Sequence, residues 1–195
     1  GITCVTERTG PEAFTDAQPV GANTLSAYRG DQGIAARENQ SNYNGDGSCT
    51  NSGTVVPAIM PLTSNSVALK AHIDALPAAG STAGALGTAW AWYLLSSNWT
   101  GIWLGDSMPA PYSDITTLGP KGQPKLQKVA VLMTDGIYNT TLATNYGDAS
   151  AEAQTISANA VSLCTNMKAA GIKIYTVGFQ LEGNQMAIDT MTACA

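Results

Sequence analysis

The sequence predicts an α/β domain whose mainly parallel sheet is doubly wound, with helices on both faces. Three observations carry this expectation. From residue 54 onward, helical and strand patterns alternate in the order helix, loop, helix, strand, helix, strand, helix. The run "KVAVLMT", 128–134, is continuously apolar after its lysine, as suits a strand covered on both sides. In "KAAGIKIYTVGF" a helix passes through Gly171 directly into a second strand, the short joint of a βαβ unit.

Residues 1–53 are rich in Gly, Asn, Asp, Gln and Ser and, apart from "ITCV", show almost no periodic apolar pattern, so they read as loop. After "TVVPAIMPL", the segment "TSNSVALKAHIDAL" offers Thr63 or Ser64 as a cap, with Leu69, Ile73 and Leu76 at i, i+4 and i+7 on one helical face. The small-residue loop "PAAGSTAG" follows. In "ALGTAWAWYLLS" the stripe Leu86, Trp90, Leu94 is widened by Trp92 and Leu95, so this helix must be largely buried. Residues 96–127 hold Gly, Pro, Ser and Asp without a pattern and read as a long surface excursion. Beyond the strand, Ile156, Ala160, Leu163 and Met167 stand at helical spacing up to Gly171, a suitable residue just past a helix end. The strand "IKIYTVGF" and the short helix "NQMAIDTMTAC" close the order.

At 195 residues the chain suffices for one domain with a substantial core. Its charged fraction is 12%, against about 25% in an average soluble protein. Fourteen acidic and nine basic residues give a formal charge of −5, and the densest cationic grouping is the loose set Lys121, Lys125, Lys128. That balance argues against binding a phosphate backbone. No apolar run approaches the ~20 residues that span a bilayer, so no transmembrane segment is expected in this chain. No basic-then-apolar signal opens it either; an exported protein would have lost that segment, or the chain begins partway through a longer one.

The four cysteines, Cys4, Cys49, Cys164 and Cys194, include no C-x-x-C and no zinc spacing with histidine. Two disulfides in an oxidising compartment are expected. Of the three connectivities, Cys164 with Cys194 is favoured because both follow predicted helices flanking one strand, which leaves Cys4 with Cys49.

In an open parallel sheet, ligands gather beyond the carboxyl ends of the strands, and Asp135 sits at such an end. A partly desolvated carboxylate there needs a cation, a helix N-terminus or several N–H donors to stay ionised. An oxygen-ligated Mg²⁺ or Ca²⁺ is the specific reading. Thr82, in "GSTAG", could supply a second oxygen, although capping of the following helix by Ser81 or Thr82 is the simpler expectation from spacing. His72, the only histidine, borders the apolar stripe of its helix and reads as structural, which removes Ser-His-Asp and Cys-His catalysis. No G-x-x-x-x-G-K phosphate loop occurs. Asn42, Asn44, Asp46, Gly47 and Ser48 imitate half of a calcium loop, but its twelfth position is Gly53 where a bidentate Glu is required, so a tight turn is the better account. Asn98 and Asn139 open glycosylation-like triplets of a kind frequent by chance.

Taken in order, "PLTSNSVALKAHIDAL", "GSTAGALGTAWAWYLLS", "KVAVLMTDG", "LCTNMKAAGIKIYTVGFQL" and the terminal "MTACA" resemble the von Willebrand factor A domain of TadG-like pilus-assembly proteins. The resemblance covers about 54–195 and extends to "TCVTER", which looks like the "GCV-x-x-R" stretch of such domains. It implies a carboxyl-terminal part of the domain over 54–195, preceded by an irregular, disulfide-tied segment over 1–53. Family members hold a divalent metal at the top of the sheet through a D-x-S-x-S loop, a threonine loop and an aspartate after a later strand. By position, Thr82 matches the threonine and Asp135 the aspartate. The opening strand and its D-x-S-x-S are not found in this chain and would lie upstream of Gly1. "DGSCT", Asp46 to Thr50, fits D-x-S-x-T literally, but only "SNYNG" precedes it where a hydrophobic strand should be.

The resemblance implies a non-enzymatic, periplasmic or cell-surface bacterial protein that assembles a pilus or surface apparatus, with a protein partner's carboxylate completing a Mg²⁺ or Ca²⁺ site. A structural subunit with a vestigial, metal-free site is the alternative. A hydrolase using Asp135 and metal-bound water lacks a second acid or base near either loop. Because the missing strand would be central, its loss exposes backbone and apolar side chains, and order is expected only with a complement: a cleaved upstream piece, another subunit or a filament neighbour.

Overall fold

The computed structural model describes residues 7–8, 10–18, 50–51, 54–55, 59–76, 82–141 and 146–195. It is a mixed α/β chain. A 3₁₀ turn at Gly10–Glu12 is followed by a small antiparallel hairpin, β1 (Thr50–Asn51) with β2 (Thr54–Val55), which straddles the expected boundary at residue 53. Helix α1 is Ser66–Asp74, α2 is Gly84–Leu95, and the excursion carries 3₁₀ turns and the single-turn helix α3, Ser113–Thr116. Strand β3 (Val129–Thr134), helix α4 (Ala151–Ala169), strand β4 (Lys173–Gly178) and helix α5 (Gln185–Cys194) complete the predicted order.

Local chemistry sets these boundaries. Asn65, rather than Thr63 or Ser64, caps α1: its side chain accepts from the Ala68 N–H, and the Thr63 hydroxyl accepts from the Asn65 N–H. Ser150 caps α4 by accepting from Ala153 N–H. Gly171, at φ +86°, ends α4: its N–H reaches the Lys168 carbonyl, the Ile172 N–H reaches that of Met167, and Ile172 and Met167 are both buried. This double hydrogen bond with its apolar contact turns the chain into β4.

Strands β3 and β4 pair in parallel, from Val129 opposite Lys173 to Thr134 opposite Gly178. Helix α2 packs on α4, and α4 packs on α5 and β4. Against them lies one face of the sheet, Ala130, Leu132 and Ile174, in a core that includes Trp90, Tyr93, Trp99 and Leu163. The expected cover on both faces is not found among the described residues. Burial alternates along β3, and Val131 and Met133 are 59% and 70% exposed. The unbroken apolar run therefore reflects two apolar faces, of which one is covered. The Cys164 and Cys194 sulfurs meet at disulfide distance and tie α4 to α5 across 30 positions, a closure worth about 3–4 kcal/mol. Cys4 and Cys49 lie outside the described residues.

Around the short 3₁₀ turn, residues 7–8 and 10–18 pack against the core. Arg8, 6% exposed, lays its guanidinium over the rings of Tyr93 and Trp99 at 5.1 and 5.2 Å and donates to the Ala17 carbonyl at 2.6 Å. Asp16 accepts from the Ser96 and Tyr112 hydroxyls, and its backbone carbonyl accepts from the Trp99 indole. Lys128, grouped by sequence with two surface lysines, is buried. It donates to the Leu95 and Ala110 carbonyls, fixing the entry to β3 against the end of α2, and burial lowers its pKa.

Candidate functional site

The site is built where β3 ends. Thr134, the last buried residue of the strand, stitches the turn with its hydroxyl, which donates to the Gly136 carbonyl at 2.9 Å and accepts from the Gly136 N–H at 3.3 Å. This fixes the backbone on both sides of Asp135, whose side chain stays exposed at the carboxyl edge.

Thr82 comes to the same place. Its carbonyl accepts from the Asn139 and Thr140 N–H groups at 3.2 and 3.3 Å, so the loop following Asp135 is strapped to the loop preceding α2. Its hydroxyl oxygen lies 3.9 Å from where a Cβ on Gly136 would stand. The expected capping role is not seen for Thr82: the cap position of α2 is Ala83, with no side-chain cap bond. Ser81 lies outside the described residues. The threonine is thus left free to present its hydroxyl beside the Asp135 turn.

A close approach makes this possible. The Tyr138 ring lies directly against Gly84, in the first turn of α2, where any Cβ would overlap it. Tyr138 is buried, donates to the Met191 sulfur at 3.5 Å and has its pKa raised by burial. It pins the loop after β3 between α2 and α5. Asn139 donates to the Asp148 carboxylate at 2.8 Å and accepts from the Thr140 hydroxyl, which adds a second exposed carboxylate to this loop cluster. Gly84, Tyr138, Asn139 and Asp148 were not singled out as site residues by sequence reasoning; the run "GIYNT" directly after Asp135 was the available signal.

The oxygens of Thr82 and Asp135 are of the kind a hard cation takes, but two protein side chains fall well short of six to eight ligands. Among the described residues there is no group of three His, Cys, Asp or Glu side chains able to hold a metal. His72 is half-buried on α1, and residues 46–49 of the "DGSCT" stretch lie outside the described residues. No protein-family model, curated protein or solved structure matches this chain.

Proposed function

We propose that this chain is an extracytoplasmic binding and assembly protein of a bacterial pilus or cell-surface apparatus, built on the carboxyl-terminal part of a doubly wound, von Willebrand A-like domain. Thr82 and Asp135 are the protein's oxygen ligands to Mg²⁺ or Ca²⁺, and a partner protein supplies a carboxylate to the open coordination positions. The observation that carries this reading is the double hydrogen bond from Asn139 and Thr140 to the Thr82 carbonyl, which brings the threonine to the Asp135 turn. A site with so few ligands of its own suits adhesion better than tight storage, because the chain binds the ion weakly and leaves positions open for a partner's carboxylate. The role is non-enzymatic.

Two further observations fit. No helix among the described residues is long and apolar enough to cross a membrane, and the Cys164–Cys194 pair is compatible with a periplasmic or cell-surface location. A second reading is a structural subunit whose metal site is vestigial; among the described residues no three-residue ligand cluster stands against it. Calorimetric titration with Mg²⁺ and with Ca²⁺ separates them. Binding that disappears in Asp135→Ala supports adhesion, whereas a wild-type chain that takes up neither ion points to scaffolding.

A further inference from the structure

Among the described residues, two apolar surfaces stand exposed. On the sheet, Val129, Val131 and Met133 of β3 stand beside Tyr175 and Val177 of β4, all exposed, and the register pairs Val131 with Tyr175 and Met133 with Val177. Phe179, 60% exposed, extends the patch. The other surface is α1, which buries none of its residues and exposes Leu69 and Ile73 on one side, with Leu76 exposed just past its end. A continuous apolar patch and an unpartnered amphipathic helix are each rare on a finished surface.

The two fit one another in length and charge. Nine helical residues span about 13 Å, and the strand from Val129 to Met133 covers about the same distance. Lys173, opposite Val129, places a cation at the amino end of the sheet face. Laid antiparallel to the strands, α1 brings Asp74 and its negative carboxyl end toward Lys173. The reverse orientation sets the positive amino end of α1 against Lys173.

From this we infer that the bare face of β3–β4 is covered by α1 of a second copy of the chain. Each copy offers one helix and one face, so reciprocal exchange uses both and closes on a two-fold dimer. The inference rests on the proposed function only in giving its complementing chain an identity; the metal edge takes no part.

Sedimentation analysis of the purified chain at micromolar concentration, with and without EDTA, tests it. A dimer that is indifferent to EDTA is expected. Val131→Glu and Ile73→Glu should each give monomers with unchanged circular dichroism, since both positions are exposed. Mixing the two variants should restore a weaker heterodimer, because the helix of the first and the face of the second are intact. A monomeric wild type, a dimer indifferent to both substitutions, or a failure of the mixture to associate at tenfold higher concentration overturns the inference. So does a dimer broken by Val131→Glu but untouched by Ile73→Glu, which assigns the face to another protein or to sheet-to-sheet contact. Loss of cation binding with the dimer intact counts against the metal reading alone.

Discussion

The two faces of the β3–β4 sheet have nearly the same composition and opposite fates. Inward, Ala130, Leu132 and Ile174 meet α2 and α4; outward, Val129, Val131, Met133, Tyr175 and Val177 stay 39–70% exposed, with no second layer over them among the described residues. The covered side takes even cations inside: Arg8 stacks on aromatic rings and donates to the Ala17 carbonyl, although its Nε finds no acceptor, and Lys128 is held by two carbonyls. On the outward side plain hydrophobes remain exposed. The difference teaches that apolar character records which surfaces are meant to be buried, and only packing records which ones a given chain can bury alone.

Adjacent residues of β3 break or confirm this comparison most sharply. Leu132 is 7% exposed and Met133 is 70% exposed. Leu132→Ala should cost about 2–5 kcal/mol, while Met133→Ala in dilute, monomeric solution should stay within about 0.5 kcal/mol. Urea unfolding midpoints measure both. Equal losses would mean that the outward face is packed after all.

A smaller effect sharpens the picture of the covered side. Burial pushes the Tyr93 hydroxyl from 10.0 up to about 12, with the Arg8 guanidinium partly opposing it. Between those values the unfolded chain ionises this group and the folded chain does not, so stability is lost as pH rises, by about 2–3 kcal/mol in total. Burial acts on Lys128 with the opposite sign: the unfolded chain keeps its proton to higher pH than the folded one, so stability rises as pH approaches 10.5 and offsets part of the tyrosine loss that begins near 10.0. Thermal melts of wild type and Tyr93→Phe across alkaline pH should differ in slope only above about pH 10. Parallel curves would refute the burial of this hydroxyl.

Much of the fold was legible in the sequence because its signals are local. The stripe in α4, the glycine that ends it and the entry into β4 all lie within a few residues of one another. The Cys164–Cys194 pairing was legible from the elements that flank it. What escaped was either long-range or degenerate. The rings under Arg8 and the side chains that bind Asp16 lie 80 or more positions away, and no periodicity marks such a strap. In β3, apolar residues on both faces erase the alternation that would have told the covered side from the bare one. At the site, Thr82 and Asp135 were named from spacing and resemblance. The hydrogen bonds that join their loops, from Asn139 and Thr140 to the Thr82 carbonyl, go with the close approach of Tyr138 to Gly84, which residue types do not announce.

The account stands on Thr82 and Asp135 acting together on one cation. A double-mutant cycle of Mg²⁺ and Ca²⁺ affinity, with Thr82→Ala, Asp135→Asn and the pair measured by calorimetry, tests this directly. Each single substitution should weaken binding at least about tenfold, roughly 1.4 kcal/mol, and the double no further than the weaker single variant. Fully additive losses, or a cation bound equally well by all four proteins, would contradict it.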